Sequence, residues 1–151
     1  MYLDPALEKR ISTDSLSALE AQRMAEFIAW GPVLFQTSRL MLKFGILQHL
    51  SDSSDGLTME EVAEKAGISL YAAKILMEAS LCAGVVLVDA ETARFRLSKI
   101  GWFLLHERRT RINIDFNHDV NYEGWFQLED ALVNGKPEGL KHYGPWPTVY
   151  E

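Results

Sequence analysis

The stretch LTMEEVAEKAGISLYAAKILMEASLCAGVVLVDAETARFRLS, residues 57–98, decides the fold of this chain. Thr58 and Glu61 form a capping-box pattern, in which each side chain accepts a hydrogen bond from the other residue's backbone N–H. This pattern predicts the start of a short helix, and Gly67 is well placed to end it. Ser69 then has the position and side chain of a residue that caps a second helix. The two predicted helices are therefore joined by a short turn that contains glycine.

A β-hairpin is predicted directly after the second helix, which Gly84 closes. Residues 85–88 are β-branched or large and apolar, residues 89–92 have the composition of a turn, and residues 94–97 alternate arginine with apolar side chains. A helix-turn-helix followed by a two-stranded hairpin is a winged helix. The sequence therefore predicts a mainly α fold built around a winged helix.

Two further helices are predicted before the winged helix. Residues 1–13 show no sustained periodicity and are expected to form a flexible arm. A first helix is expected to begin near Asp14 and to stop at Gly31, and a second to run from Pro32 to Leu47, buried on two sides. These helices carry a large set of apolar side chains: Leu16, Leu19, Phe27, Trp30, Val33, Leu34, Phe35, Leu40, Met41 and Phe44. A small winged helix is unable to cover this surface, which predicts a homodimer; the alternative is packing within one subunit.

The residues after the wing are predicted to form two helices and a connector. Ser98 can cap the first helix, and the basic cluster at residues 106–111 has the composition of a solvated helix end. We expect residues 14–112 to form the dimerisation and winged-helix domain, residues 113–135 a connecting helix, and residues 136–151 an irregular linker. This linker is unusually aromatic and holds three of the five prolines.

Charge argues against a nucleic-acid partner, even though winged helices often bind DNA. The chain has a net charge of −6, and the helix that would enter the major groove, residues 70–80, carries one cation and one anion. Recognition of bases and phosphates needs clustered arginine, lysine, asparagine or glutamine on that face. We therefore expect no specific binding of duplex DNA.

Other common sites are also missing from the sequence. The four histidines are widely separated, which predicts no metal site, and Cys82 is expected to be a buried, inert thiol. The chain has no nucleophile elbow and no two glycines two positions apart, so it offers neither catalytic residues nor the usual glycine-rich cofactor loop. It also has no apolar run long enough for a membrane span or a secretory signal, which predicts a cytoplasmic protein.

Residues 117–126 form the most suggestive local cluster. Polar groups alternate there with large aromatic side chains on a predicted helix. This mixture is typical of the wall of a ligand pocket. The alternative is an ordinary amphipathic helix whose aromatic side chains fill the core, and local composition alone favours that alternative.

The order of these elements resembles the O-methyltransferases that use S-adenosylmethionine. Residues 44–50 and 57–68 resemble the family's opening, which includes a Leu-Thr-x-x-Glu-Leu-Ala motif. Residues 75–86 are similar to its leucine-rich helix and first wing strand, and residues 94–105 to the second strand and the helix after it. Residues 125–135 match its Trp-x-x-Leu-x-x-Ala-x-x-x-Gly helix.

The resemblance implies the N-terminal winged-helix and dimerisation domain of a two-domain enzyme, with a small-molecule hydroxyl as methyl acceptor. In that family the residues just before the helix tryptophan face the substrate, which implies substrate-binding roles for Tyr122, Asn121 and Phe126. S-adenosylmethionine and the catalytic base would belong to a following domain that this chain lacks, so the chain alone is expected to bind no cofactor and to be inactive. A transcriptional regulator and a non-enzymatic protein-interaction domain remain as alternatives.

Overall fold

The computed structural model describes residue 4 and residues 11–148, so the arm expected at residues 1–13 lies largely outside the described residues. The α-helices of the described part are α1 (Ala18–Ala29), α2 (Gly31–Lys43), α3 (Ile46–Ser51), α4 (Met59–Ala66), α5 (Leu70–Cys82), α6 (Lys99–His106), α7 (Arg108–Phe116) and α8 (Leu128–Asn134). Strands β1 (Val86–Val88) and β2 (Phe95–Leu97) pair between α5 and α6. The mainly α fold with a winged helix is confirmed.

The residues that cap the helices of the winged helix and reverse the chain between them lie where the sequence predicts them. Thr58 Oγ1 accepts a hydrogen bond from Glu61 N at 3.3 Å, and Glu61 Oε2 accepts one from Thr58 N at 2.8 Å, so α4 begins with a capping box. Gly67 ends this helix in the left-handed conformation, with φ of 64°. Ser69 caps α5 by accepting a hydrogen bond from Ala72 N at 3.1 Å. Backbone preference and capping therefore suffice to set these boundaries.

The wing is a tight antiparallel hairpin in which Val86 faces Leu97 and Val88 faces Phe95. Leu57 also bridges to Phe95, with N···O distances of 2.9 and 2.7 Å, and so attaches the start of the helix-turn-helix to the wing. The core lies between this hairpin and helices α2 to α5, and it consists of Met41, Ile46, Leu47, Leu50, Leu57, Val62, Ala63, Ala73, Leu76, Met77, Val85, Val86 and Phe95.

The N-terminal helices differ from the prediction at two points. Helix α1 begins later than Asp14, because Ser17 and Glu20 form a capping box at its start. The helix expected from Pro32 to Leu47 is broken at Gly45, whose φ of 71° is incompatible with a continuous right-handed helix. Within this single chain Met41 is the one fully buried residue of α2, and residues 34–40 and 42 are only partly buried.

The segment after the wing is more broken than predicted. Residues 108–111 begin a helix instead of ending one, because the Glu107 carboxylate accepts hydrogen bonds from the backbone N–H groups of Arg109 and Thr110. The helix expected over residues 113–135 is interrupted by a π-helical turn at Asn117–Asn121 and a 3₁₀ turn at Gly124–Gln127. A further 3₁₀ turn at Glu138–His142 packs against the latter.

Candidate functional site

An open apolar cavity lies where the first turn of α2 meets the segment between α7 and α8. We call it the aromatic groove; its volume is about 410 Å³. It is lined by Gly31, Pro32, Phe35, Tyr122, Trp125 and Phe126. None of these residues carries a charge at neutral pH, so the groove suits an uncharged, apolar ligand.

Tyr122 forms the centre of the groove. Its ring stacks on Phe35 with a centroid distance of 5.4 Å and an angle of 16° between the ring planes. Its hydroxyl donates a long hydrogen bond of 3.4 Å to the carbonyl of Pro32. The Trp125 ring lies 6.1 Å away, tilted by 37°. These contacts hold Tyr122 against α2, and they leave Phe126 82% exposed at the edge of the groove.

Local structure explains why α2 presents Pro32 and Phe35 to this site. Pro32 lies in the first turn of the helix, where its missing N–H leaves no hydrogen bond unmade. Phe35 follows three residues later, which places both side chains on one side of the helix. Tyr122 directly follows the π-helical turn at Asn117–Asn121, which brings its side chain against Phe35 on the same side of α2. Such turns are frequent at functional sites.

A second apolar cavity of about 280 Å³ lies beside the groove, and we call it the side chamber. It is lined by Phe116, Val120, Asn121, Gly124, Trp125, Leu128, Ala131, Pro137, Gly139, Leu140 and Tyr143. Asn121 is held there by a hydrogen bond of 3.0 Å from its Nδ2 to Asn117 Oδ1. The Tyr143 hydroxyl donates to the carbonyl of Val120, which attaches the 3₁₀ turn to this wall.

The structure brings two of the three predicted substrate-binding residues together. Tyr122 and Phe126 line the aromatic groove, whereas Asn121 faces the side chamber. Pro32 and Phe35 were not identified as site residues from the sequence. No local signal connects them with Tyr122, because the contact joins residues about 90 positions apart in the chain.

A further cavity of about 660 Å³ lies between α1 and α5, and we call it the subunit cleft. Its apolar walls include Phe27 and Trp30, which are 54% and 61% exposed. Helix α1 has no buried residue at all. Cys82 also lines this cleft and is exposed, so the prediction of a buried thiol is wrong. The cause is that α1 stands away from α5 instead of packing on it.

Two cations of the winged helix, Lys74 and Arg94, lie in local ion pairs. Lys74, the one cation of α5, lies 3.8 Å from Glu78 on the next turn. Arg94 Nη2 lies 2.9 Å from Glu61 Oε2. The helix that would read DNA instead exposes Leu70, Tyr71 and Ile75.

Two classes of site are not found in the part of the chain that the structure describes. Residues 11–148 contain no group of three histidine, cysteine, aspartate or glutamate side chains placed to hold a metal ion. None of the helices over the same residues is long and apolar enough to cross a membrane.

Comparison with known proteins gives one family match and several structural ones. Residues 22–95 match the sequence model of the family described as the Dimerisation2-like domain. A search of curated protein sequences gives no significant match.

The fold is similar to that of solved methyltransferases. The S-adenosylmethionine-dependent methyltransferase SibL matches with a TM-score of 0.69 and 20% identity, over 81% of this chain and 36% of that protein. Human N-acetylserotonin methyltransferase, solved with S-adenosylmethionine, matches with a TM-score of 0.64 and 18% identity, over 82% of this chain and 37% of that protein.

A protein described as a pericyclic reaction enzyme matches with a TM-score of 0.65 and 15% identity, over 85% of this chain and 31% of its own length. The chain thus spans about a third of the length of these solved proteins. At such identities the likeness establishes the fold, and the reaction has to be argued from the site.

Proposed function

We propose that this chain, which carries a Dimerisation2-like domain at residues 22–95, is the subunit-pairing and substrate-covering part of an S-adenosylmethionine-dependent O-methyltransferase. The observation that carries the proposal is the aromatic groove, an uncharged cavity on a fold shared with such enzymes. The methyl acceptor is a hydroxyl of a small molecule. This chain supplies one wall of the acceptor site and pairs the two subunits.

The groove contributes binding and orientation to the reaction. The stacked rings of Phe35 and Tyr122 form a flat apolar wall. A planar acceptor can stack on this wall and exclude water from it. Phe126 is exposed and therefore free to close over the bound ring. A fixed acceptor hydroxyl lowers the barrier to methyl transfer by proximity and orientation. Proton transfer is not assigned to any residue of the groove.

The methyl donor is proposed to bind outside this chain. A glycine-rich loop that lets the backbone approach the donor closely requires closely spaced glycines, and this sequence has none two positions apart. The chain alone is therefore expected to bind no S-adenosylmethionine and to transfer no methyl group.

A role as a transcriptional regulator is less well supported. The recognition helix exposes apolar side chains, and its single lysine is paired with Glu78. The chain is also net acidic, which opposes binding to a polyanion. A purely structural interaction domain would need no aromatic groove between α2 and the segment after α7.

Substitution of Tyr122 tests the proposal. In the enzyme that carries this domain, Tyr122→Ala is expected to raise KM for the acceptor about tenfold, since a stacked aromatic contact is worth about 1 kcal/mol beyond its buried area. The value of kcat should change little, because Tyr122 binds without transferring a proton. Tyr122→Phe should keep most of the affinity, since the hydroxyl is engaged with Pro32.

Tyr71→Ala is the matched control, because Tyr71 is 75% exposed on α5 and lines neither the groove nor the chamber. It should leave both kinetic constants unchanged. If Tyr122→Ala leaves KM unchanged across a panel of phenolic acceptors, the groove is not part of the acceptor site.

A further inference from the structure

We infer that Trp125 is a movable partition between two halves of one acceptor site, and that the acceptor is an uncharged planar aromatic alcohol with an apolar substituent. This inference rests on the proposed function and extends it. Trp125 lines both the aromatic groove and the side chamber, so one indole separates the two cavities. An acceptor ring held in the groove would therefore direct a substituent at Trp125.

The Trp125 side chain is held by weak contacts, which is necessary if it is to move between the two cavities. Its side chain is 54% exposed and is not part of the hydrophobic core. Its recorded ring contact among the described residues is a tilted one with Tyr122, at 6.1 Å. Such a contact contributes about 1 kcal/mol or less, and exposed side chains change rotamer within nanoseconds. Rotation of the indole therefore connects the two cavities at low cost.

The side chamber is an open recess whose walls would contact a substituent on one side. Gly124 and Gly139 approach so closely that a Cβ on Gly139 would lie 2.7 Å from the Gly124 carbonyl oxygen. This contact forms the wall of the chamber beside Trp125. Phe116, Leu128 and Leu140 supply apolar walls, and no charged side chain lines the cavity. An alkyl or aryl substituent is the chemistry that such a lining favours.

The partition also explains how two predicted site residues that line different cavities can contact one acceptor. Tyr122 faces the groove and Asn121 faces the chamber, although they are neighbours in sequence. If both cavities belong to one site, Tyr122 contacts the acceptor ring and Asn121 lies beside the substituent. The Asn121 amide is fixed by Asn117 and limits the substituents that fit.

Two phenols that differ in chain length test this inference on the chain itself. Ligand-detected NMR titration would give the dissociation constants of 4-methylphenol and 4-pentylphenol. We expect 4-pentylphenol to bind about tenfold more tightly. Full burial gives roughly fourfold per methylene group, but the open chamber buries the four added methylene groups only in part, and movement of the indole offsets some of the remaining gain. Trp125→Ala should increase this ratio of dissociation constants, because the chamber then opens directly into the aromatic groove.

Filling the chamber should abolish the preference. Ala131→Leu, or Leu140→Phe if the first variant fails to fold, is expected to reduce the ratio to about twofold or less. Ala131→Ser is the matched control and should keep the wild-type ratio. Circular dichroism at each titration temperature establishes that the variants are folded.

The outcomes separate this inference from the proposed function. A ratio that neither Trp125→Ala nor Ala131→Leu changes, with 4-methylphenol still binding in the groove, overturns the role of Trp125 alone. Failure of 4-methylphenol to bind, or equal binding to Tyr122→Ala, overturns the aromatic groove as the acceptor site and this inference with it.

Discussion

At the scale of single residues, Glu61 connects two parts of the winged helix. Its carboxylate caps α4 through the N–H of Thr58 and pairs with Arg94 on the wing at 2.9 Å. Arg94 Nε also donates to the carbonyls of Asp55 and Gly56, each at 3.2 Å. The backbone hydrogen bond from Thr58 lowers the pKa of Glu61; burial raises it, and the positive charge of Arg94 lowers it further.

The lowered pKa predicts how stability depends on pH. A carboxyl whose pKa is lower in the folded state stabilises the fold above its unfolded pKa of about 4.5, and this contribution is lost as the pH falls through the folded value. Glu61→Gln should therefore reduce the free energy of unfolding at pH 7. The difference from the wild type should shrink below pH 4.5. Urea unfolding between pH 7 and pH 3 measures this.

Glu60→Gln is the matched control for this prediction. Glu60 lies in the same first turn of α4, and no ion pair is recorded for it within the described part of the chain. Its substitution removes the same interaction with the helix dipole but leaves Arg94 paired. Equal pH profiles for the two variants would show that neither the Thr58 hydrogen bond nor the Arg94 pair of Glu61 contributes to the pH dependence.

At the scale of elements, close packing at one glycine positions α6 on the wing. Ser98 caps α6 and also donates its hydroxyl to the carbonyls of Gly84 and Val85, at 2.6 and 2.9 Å. Gly101 then faces the wing so closely that a Cβ there would lie 2.4 Å from the Val85 carbonyl oxygen. The register between helix and hairpin therefore requires glycine at this position.

Gly101→Ala is expected to destabilise the fold by about 1–3 kcal/mol, the usual cost of overpacking a well-packed contact. The higher helix propensity of alanine is too small to compensate. Gly31→Ala is the control, because nothing lies within 4 Å of a Cβ there and its backbone is helical. Thermal unfolding should show a loss for Gly101→Ala and no loss for Gly31→Ala. Equal midpoints would contradict the packing argument.

At the scale of the whole molecule, the largest feature is the apolar surface that no part of the described chain covers. Helix α1 contains no buried residue, and the subunit cleft between α1 and α5 is open. The exposed apolar side chains of this region are Leu16, Leu19, Met24, Phe27, Ile28, Trp30 and Val33. Monomers rarely expose a continuous surface of this kind. The match to the Dimerisation2-like domain model begins at residue 22 and includes most of these positions.

We expect the chain to be a homodimer at tens of micromolar, with an interface on the order of 2,000 Å². Phe27→Glu should produce a folded monomer, because it places a charge in the apolar interface. Size exclusion with light scattering measures the mass. Leu132→Glu, at an even more exposed apolar position outside the cleft, should remain dimeric. A monomeric wild type would refute the dimer.

The sequence by itself determined the winged helix, because its signals are local. Capping by Thr58, Ser69 and Ser98 and the chain reversal at Gly67 act within a few residues, and each lies where it was predicted. Tyr122 and Phe126 were also identified as pocket residues without the structure, although only through a family resemblance.

Tertiary structure alone decided how the site is assembled. The contact between Tyr122 and Pro32, the separation of Asn121 from Tyr122, and the exposure of Cys82 all depend on which distant segments pack together. The 3₁₀ turn after α7 likewise meets a distant segment, since Gly124 approaches Gly139 so closely that no room is left for a side chain on Gly139. Hydrophobic periodicity in the sequence indicates which face of a helix is apolar, but it does not indicate which distant segment packs against that face.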